Sequence, residues 1–429
     1  MEALVLFAVF VLLLLIGAPI AVCLGISSIC AMLVLGAGRS VSVVLGAVPQ
    51  LVSAATSKSV LLAIPFFILG GNIMEKAGIS GKLISLAESC VGHLKGGVAM
   101  VCVIVACFFA AISGSGPATV AALGLILIPA MVKVGYDVSF AAALMATAGA
   151  IGVIIPPSIT FVVYGSISDT SIGDLFISGV LPGLLMGAAL IAVTLWLGRK
   201  SDLKRLPKAN GRQRLVAFKD AFWGLLMPVI ILGGIYGGIF TPTEAAAVSA
   251  VYGLFIGIVV YKTLRLKDLK KILVDTASTT ATVMFITAAA TLFAYVLTRA
   301  RIDVAISSLL TEVAGGNQII FLLIVNIVLL IAGCFLDSTS ALYIFTPLFV
   351  PVAKALGMSM IHFGTIMIVN LAIGLVTPPV GVNLYVACGI AKIDLKKISV
   401  AVVPLLVASL IVLAIVTYVP SVSLALLGG

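Results

Sequence analysis

Two short polar stretches stand inside otherwise apolar sequence, and their residue types suit one chemistry, the coordination of a small hard cation. The first is "AISGSGPAT", Ala111–Thr119, where Ser113 and Ser115 carry hydroxyls among small residues that can turn tightly. The second is "FLDSTSA", Phe335–Ala341, where Asp337 precedes Ser338, Thr339 and Ser340. Hard cations take oxygen ligands from hydroxyls, carboxylates and backbone carbonyls. An Asp at membrane depth costs at least about 2.5–3.5 kcal/mol on insertion scales, so it calls for a role. Asp337 reads as a cation ligand or as the cap of the helix after it, against the plainer alternative of a solvated loop tip. The Ser-Gly-Ser-Gly run alone is a weaker sign, because small residues also serve close packing of membrane helices.

Each polar stretch is followed by an interrupted apolar run. "AIGVIIPPS" from Ala150 and "AIGLVTPPV" from Ala372 put Pro156-Pro157 and Pro378-Pro379 where a membrane helix should continue. Proline removes a backbone donor and clashes with the preceding turn. In hydrocarbon an unsatisfied backbone group is costly, so irregular backbone survives only when buried in protein or lining a cavity. Both runs therefore read as half-helix, unwound stretch, half-helix. The first half-helix ends in carbonyls at the negative end of its macrodipole, which suits Na⁺.

A constant shift of 222 lays one half of the chain on the other. Pro129 falls on Pro351, Gly135 on Gly357, Met145 on Met367, Ala150-Ile151-Gly152 on Ala372-Ile373-Gly374, and the first Pro-Pro pair on the second. Ser115 falls on Asp337, and "GAPI" (Gly17–Ile20) lies near "FTPTE" (Phe240–Glu244). Most of these identities are Gly or Pro, which carry backbone geometry rather than hydrophobicity. The chain divides into a first copy at 1–206, a basic cytoplasmic linker at 207–221 and a second copy at 222–429. The re-entrant hairpins are expected at 98–131 and 317–352, and the broken helices at 139–167 and 361–391. Inverted repeats with paired broken helices point to a midplane site in secondary transporters.

The elements that must hold these stretches are membrane spans. The chain has 429 residues, 62% hydrophobic and 9% charged, with a mean hydropathy of +1.33. That balance excludes a soluble globular domain and implies an all-α polytopic membrane protein. Met1-Glu2 leads straight into an apolar run without a basic n-region, so the start reads as a retained first helix. Further spans are expected at 3–17, 20–37, 50–75, 176–198, 222–239, 244–261, 273–298 and 400–425. With residue 1 outside, the inside segments hold 20 of the 25 Lys and Arg residues, and the outer loop "SISDTSIGD" carries only acids. The positive-inside rule thus favours oppositely oriented copies with both termini outside. The net charge of +10 is then a topology signal and does not imply nucleic acid. Trp196 and Trp223 fall at the inner boundary.

Other residues carry weaker signals. Arg299 and Arg301 in "LTRARID" can pair a carboxylate through a guanidinium fork, or snorkel to the outer interface. Asn326, Asn370 and Asn383 lie inside spans, where lining a pathway and hydrogen bonding between helices are equal readings. His93 and His362 are isolated and read as interfacial, so no transition-metal site is expected. The seven cysteines form no CxxC pair and read as buried free thiols. Amphipathic stretches at 76–95 and 302–313 precede the two hairpins and read as membrane-surface arms.

These features together resemble the large membrane subunit of tripartite ATP-independent periplasmic (TRAP) transporters, the DctM/SiaM type. "SGSGPAT", the two "AIGxxxPP" runs, "FLDSTSA" and "TPTEAAAV" (Thr241–Val248) carry the resemblance over essentially the whole chain. It implies a sodium-driven importer of the bacterial inner membrane that works by an elevator motion and is not an enzyme. It implies two partners, a small four-helix membrane subunit and a periplasmic substrate-binding protein, and an organic-acid solute with the sialic-acid branch favoured. The family's sodium sites carry over to Ser113, Ser115, Gly152, Ile155 and Pro157, and by the shift of 222 to Phe335, Asp337, Gly374, Thr377 and Pro379. Arg299, Arg301, Ser338, Thr339 and Ser340 are candidates for the solute. No cofactor is expected beyond Na⁺ as the coupling ion. A stand-alone sodium/carboxylate carrier is the alternative. An intramembrane hydrolase is disfavoured because HExxH and GxSxG are missing and neither His can serve Ser113 or Ser115 as a base. A non-transporting scaffold has no need of paired polar breaks.

Overall fold

In lipid, a long apolar segment must close its backbone hydrogen bonds within itself, and this chain does so with helices. A computed structural model describes residues 2–38, 40–199 and 203–427, and among these there is no strand. Among the described residues, six helices are long and apolar enough to cross a membrane: Ser59–Lys76, Gly116–Lys133, Ile172–Gly198, Gly211–Tyr236, Pro242–Val260 and Leu266–Arg299. Two bent pairs raise the number to eight, Val138–Ile154 with Ile159–Ser168 (41°) and Leu395–Ala401 with Val403–Tyr418 (54°).

The ends of the helices are set by local chemistry. Asp137 accepts from the backbone N–H groups of Ser139 and Phe140 at 2.8 and 3.1 Å, starting the helix Val138–Ile154. Thr241 and Glu244 form a reciprocal capping box ahead of the "AAAV" run, satisfying donors that a helix start leaves orphaned. Asn210 and Gln213 do the same at the start of Gly211–Tyr236.

Two pairs of helices are joined by tight turns. Gly97–Ser113 and Gly116–Lys133 make the first, and Gln318–Gly333 and Ser338–Ala355 the second. Interrupted helices follow each: Val138–Ile154 then Ile159–Ser168, and Met360–Gly374 then Val382–Ala391. Gly116 and Ser338 start their helices 222 positions apart, as do Val138 and Met360, and Ile20 and Pro242. The short helices Ile79–Val91 and Ile302–Ala314 precede the hairpins.

Two groups of helices emerge from the packing. In one, Ala63–Lys76 lies along Pro242–Phe255, while Glu2–Leu15 and Leu266–Arg299 flank Ile20–Leu35. The other contains the hairpins and interrupted helices, and its halves interlock crosswise. Ile159–Ser168 packs on Ser338–Ala355, and Val382–Ala391 packs on both Val138–Ile154 and Gly116–Lys133. Tyr164 of the first half donates to the Met360 carbonyl at 2.9 Å, and Ser178 and Thr365 hydroxyls meet at 2.6 Å.

Several expected boundaries move. The span expected at 50–75 is interrupted: Ala47–Thr56 ends, and a short 3-10 turn at Ser59–Leu62 leads into Ala63–Lys76. The cause is the polar run Thr56-Ser57-Lys58-Ser59, where the Thr56 and Ser57 hydroxyls take the carbonyls of Val52 and Ser53, competing with continued helix. Most of the expected linker is helix, because Gly211–Tyr236 already begins at its Asn210 cap. The span at 400–425 is bent and ends at Tyr418. His362 is buried: it lies in the first turn of Met360–Gly374, with its ring Nδ1 3.1 Å from the Ser423 hydroxyl. All seven cysteines are free thiols, but only Cys23, Cys102, Cys334 and Cys388 are buried; Cys30 and Cys107 are partly so and Cys90 is exposed.

Candidate functional site

At the first hairpin the chain reverses at Gly114, whose φ of +61° lies in the left-handed region that favours glycine. The turn gathers oxygen. Ser113 and Thr119 hydroxyls are 2.7 Å apart, and Thr119 donates to the Ser115 carbonyl at 2.8 Å. Gly152 of the interrupted helix faces this cluster closely: a Cβ there would stand 2.8 Å from Thr119 Oγ1 and 2.9 Å from the Ser115 carbonyl oxygen. The Pro157 carbonyl oxygen comes as near as 3.0 Å to where a Gly114 Cβ would lie. Ser113, Ser115, Gly152 and Pro157 are thus brought together. Ile155 sits in the same break, 8% exposed, with its side chain against Gly183, so that only its backbone is left to serve a ligand.

The four residues of this first break are all buried, and so are 141–154 before it and all of Ile159–Ser168 after it except Ile167. Its loose backbone is satisfied by side chains: Ser158 donates to the Val153 carbonyl at 2.6 Å, with Thr160 on the same oxygen at 3.2 Å. The Gly114 carbonyl accepts from Ile159 N–H at 3.5 Å, tying hairpin tip to break. Thr119, Ser158 and Thr160 were not among the expected site residues. Their signal was present, hydroxyl residues directly after a hairpin turn and a Pro-Pro pair.

The second unit is built differently. Asp337 is the N-cap of Ser338–Ala355, and its carboxylate accepts from the Ser340 backbone N–H at 3.1 Å and from the Ser340 hydroxyl. Ser338 donates to the Leu371 carbonyl at 3.5 Å, and Thr377 to that of Ile373 at 2.8 Å. Gly374 lies against Gly333, where an added Cβ would be 2.6 Å from the Gly333 Cα. The tip is tied to the break through Gly381 N–H and the Cys334 carbonyl at 3.1 Å. Pro379 is exposed, Thr377 and Thr339 are partly so, and Phe335 is 52% exposed. Both breaks have their two prolines joined by a cis bond.

Arg299 and Arg301 lie elsewhere. Both are exposed at the turn between Leu266–Arg299 and Ile302–Ala314, and Arg299 lines a 110 Å³ cavity beside Tyr295 and Val43. The intramembrane asparagines serve helix-to-helix hydrogen bonds. Asn370 donates to the side chain of Asn326 at 2.7 Å, Asn326 to Thr417 at 3.0 Å, and Asn383 to the Ala146 carbonyl at 3.0 Å.

Hairpins facing interrupted helices, in an all-helical chain with several membrane-length apolar helices, define a polytopic membrane transport protein. The chain belongs to the DctM family: the model for "Tripartite ATP-independent periplasmic transporter, DctM component" matches residues 7–422. It is 49% identical over 366 residues to the C4-dicarboxylate TRAP transporter large permease protein DctM of Pseudomonas aeruginosa, covering 85% of this chain and 86% of that one. It is 44% identical to the isethionate TRAP transporter permease protein DctMQ of Oleidesulfovibrio alaskensis, over 99% of this chain and 66% of that one. Identity to the sialic acid TRAP transporter large permease protein SiaM of Vibrio cholerae is 41%, over 85% and 86% of the two chains. Among solved structures, the YdaH transporter of Alcanivorax borkumensis shares the fold, with a TM-score of 0.64 at 14% identity over 93% of this chain and 98% of that one.

Proposed function

We propose that this large permease couples import of a small organic acid to the sodium gradient, receiving the acid from a periplasmic binding protein. The observation carrying the proposal is the oxygen-lined contact of Ser113, Ser115, Thr119 and Gly152 at the first hairpin tip. Its donors are the hydroxyls and carbonyls that a hard cation prefers. The second hairpin and break supply the other cation pocket, through Phe335, Gly374, Thr377 and Pro379, with Asp337 capping the helix that closes it. Hairpins and interrupted helices travel as one body against the helices of 2–76 and 211–299, an elevator motion in which cation and carboxylate cross together. Helix starts repeating at an interval of 222, with the Lys and Arg distribution, support two inverted repeats and termini on the periplasmic side of the inner membrane.

The small membrane subunit is the second partner, supported by the longer chain of the DctMQ relative. The greater identity to the C4-dicarboxylate permease than to the sialic-acid one turns the preferred solute from sialic acid to a C4-dicarboxylate. The test is uptake by proteoliposomes containing this chain and its small subunit, with the binding protein outside. Uptake should follow the imposed sodium gradient. Uptake indifferent to that gradient removes the coupling, and uptake by this chain alone favours the stand-alone carrier.

A further inference from the structure

Two adjoining cavities, of 240 and 580 Å³, share Lys58 and Ser166 in their walls. They lie between the two helix groups. Lys58 sits at the interruption after Ala47–Thr56, Thr287 and Thr291 come from Leu266–Arg299, Ser166 from the second half of the first interrupted helix, and Tyr343 from the second hairpin. Together they are in the size range of small-molecule sites, about 300–1,000 Å³. Among the described residues in their walls, Lys58 is the one cation and Asp169 the one anion.

The two groups are joined here by polar links. The Lys58 ammonium donates to the Ser166 carbonyl at 2.8 Å, and Thr287 and Tyr343 hydroxyls meet at 2.7 Å. Tyr343 lies two turns or less beyond Asp337 on the same hairpin helix. An ammonium has three donors, so Lys58 can hold Ser166 and still face an anion. A carboxylate is the stronger acceptor for it, because a hydrogen bond between two ionised groups exceeds one to a neutral carbonyl.

We propose that Lys58 receives the solute carboxylate in this cavity, at a link between the moving body and its frame. The proposal rests on the transport reading above and names the residue that meets the solute, in place of Arg299 and Arg301. An amide can still donate to Ser166 but carries no charge, whereas a guanidinium keeps the charge. Lys58→Gln and Lys58→Arg therefore separate an anion site from a mere latch. The measurement is succinate uptake in a sodium gradient by the reconstituted complex, with thermal stabilisation by Na⁺ as the check that each variant retains its cation pockets. Lys58→Gln should raise KM about tenfold, the effect of losing one charge-assisted hydrogen bond, and Lys58→Arg should stay near wild type. Wild-type KM in Lys58→Gln, or equal impairment of both variants, overturns the proposal. Sodium-independent uptake by the wild type overturns the transport reading, and this proposal with it.

Discussion

The two hairpin-and-break units follow one backbone plan and fill it with different chemistry. In the first, the break is wholly buried, and hydroxyls of Ser113, Thr119, Ser158 and Thr160 supply the oxygen around it. In the second, the 222 shift turns those positions into Phe335, Ala341, Val380 and Val382. Oxygen comes instead from Asp337 and Thr377, and the break is open at Pro379. The tips also seat differently. Gly152 faces Ser115 and Thr119 of the hairpin's second helix, whereas Gly374 faces Gly333 at the end of the first. The comparison teaches that glycine and proline positions set the frame, while the oxygen donors can change side without changing the frame. It also assigns Asp337 a structural task, because its carboxylate is committed to Ser340.

The largest effect is expected where backbone meets backbone. Gly374→Ala would drive a methyl to 2.6 Å from the Gly333 Cα, and overpacking of this kind costs about 1–3 kcal/mol. Uptake by the reconstituted complex should be nearly lost. Gly152→Ala meets a hydroxyl and a carbonyl at 2.8 and 2.9 Å and should keep more uptake, with weakened sodium dependence. Equal tolerance of both substitutions would break the contrast in seating. Next, Ser113→Ala with Thr119→Ala removes the hydroxyl pair of the first unit. Half-saturating sodium should rise by about tenfold, the equivalent of about 1.4 kcal/mol.

A smaller effect separates Asp337 as cap from Asp337 as charged ligand. Asn caps as well as Asp, whereas Ala forfeits about 0.5–2 kcal/mol. Asp337→Asn should retain sodium affinity within about threefold, less than the 1.4 kcal/mol of a tenfold change, and Asp337→Ala should lower the unfolding midpoint. A large loss of sodium affinity in Asp337→Asn would return the carboxylate to the ligand set. Smallest are the hydroxyls that close the breaks. Ser158→Ala leaves the Val153 carbonyl to Thr160 alone, at 3.2 Å, and should cost about 1 kcal/mol in thermal stability. Thr377→Val, at a partly exposed position, should cost less.

Legibility in the sequence followed the same division. Pro156-Pro157, Pro378-Pro379 and the small-residue turn at Gly114 act on their own backbone, so the interruptions they cause are legible from the residues alone. Ser158 and Thr160 act on Val153 from across the break, a partnership visible only once the chain has turned. The cap was one of two readings of Asp337, and its contacts with Ser340 are those of a cap. The interruption at Ser57-Lys58 was hidden because apolar sequence flanks it on both sides. The helix at Gly211 was hidden by basic residues that look like a loop yet sit behind a reciprocal Asn210–Gln213 cap. Membrane sidedness came from charge counting alone.

The central claim is that each hairpin tip, with its facing break, encloses a sodium ion. Ligand that binds only the native state raises stability in proportion to its occupancy, so the direct measurement is the unfolding midpoint of the purified chain titrated with Na⁺ against K⁺. The wild type should be stabilised by Na⁺ and not by K⁺. Ser113→Ala with Thr119→Ala should remove part of that gain, Gly374→Ala another part, and the combination all of it. Stabilisation by both cations alike, or a Na⁺ response untouched by the combined variant, would contradict the account.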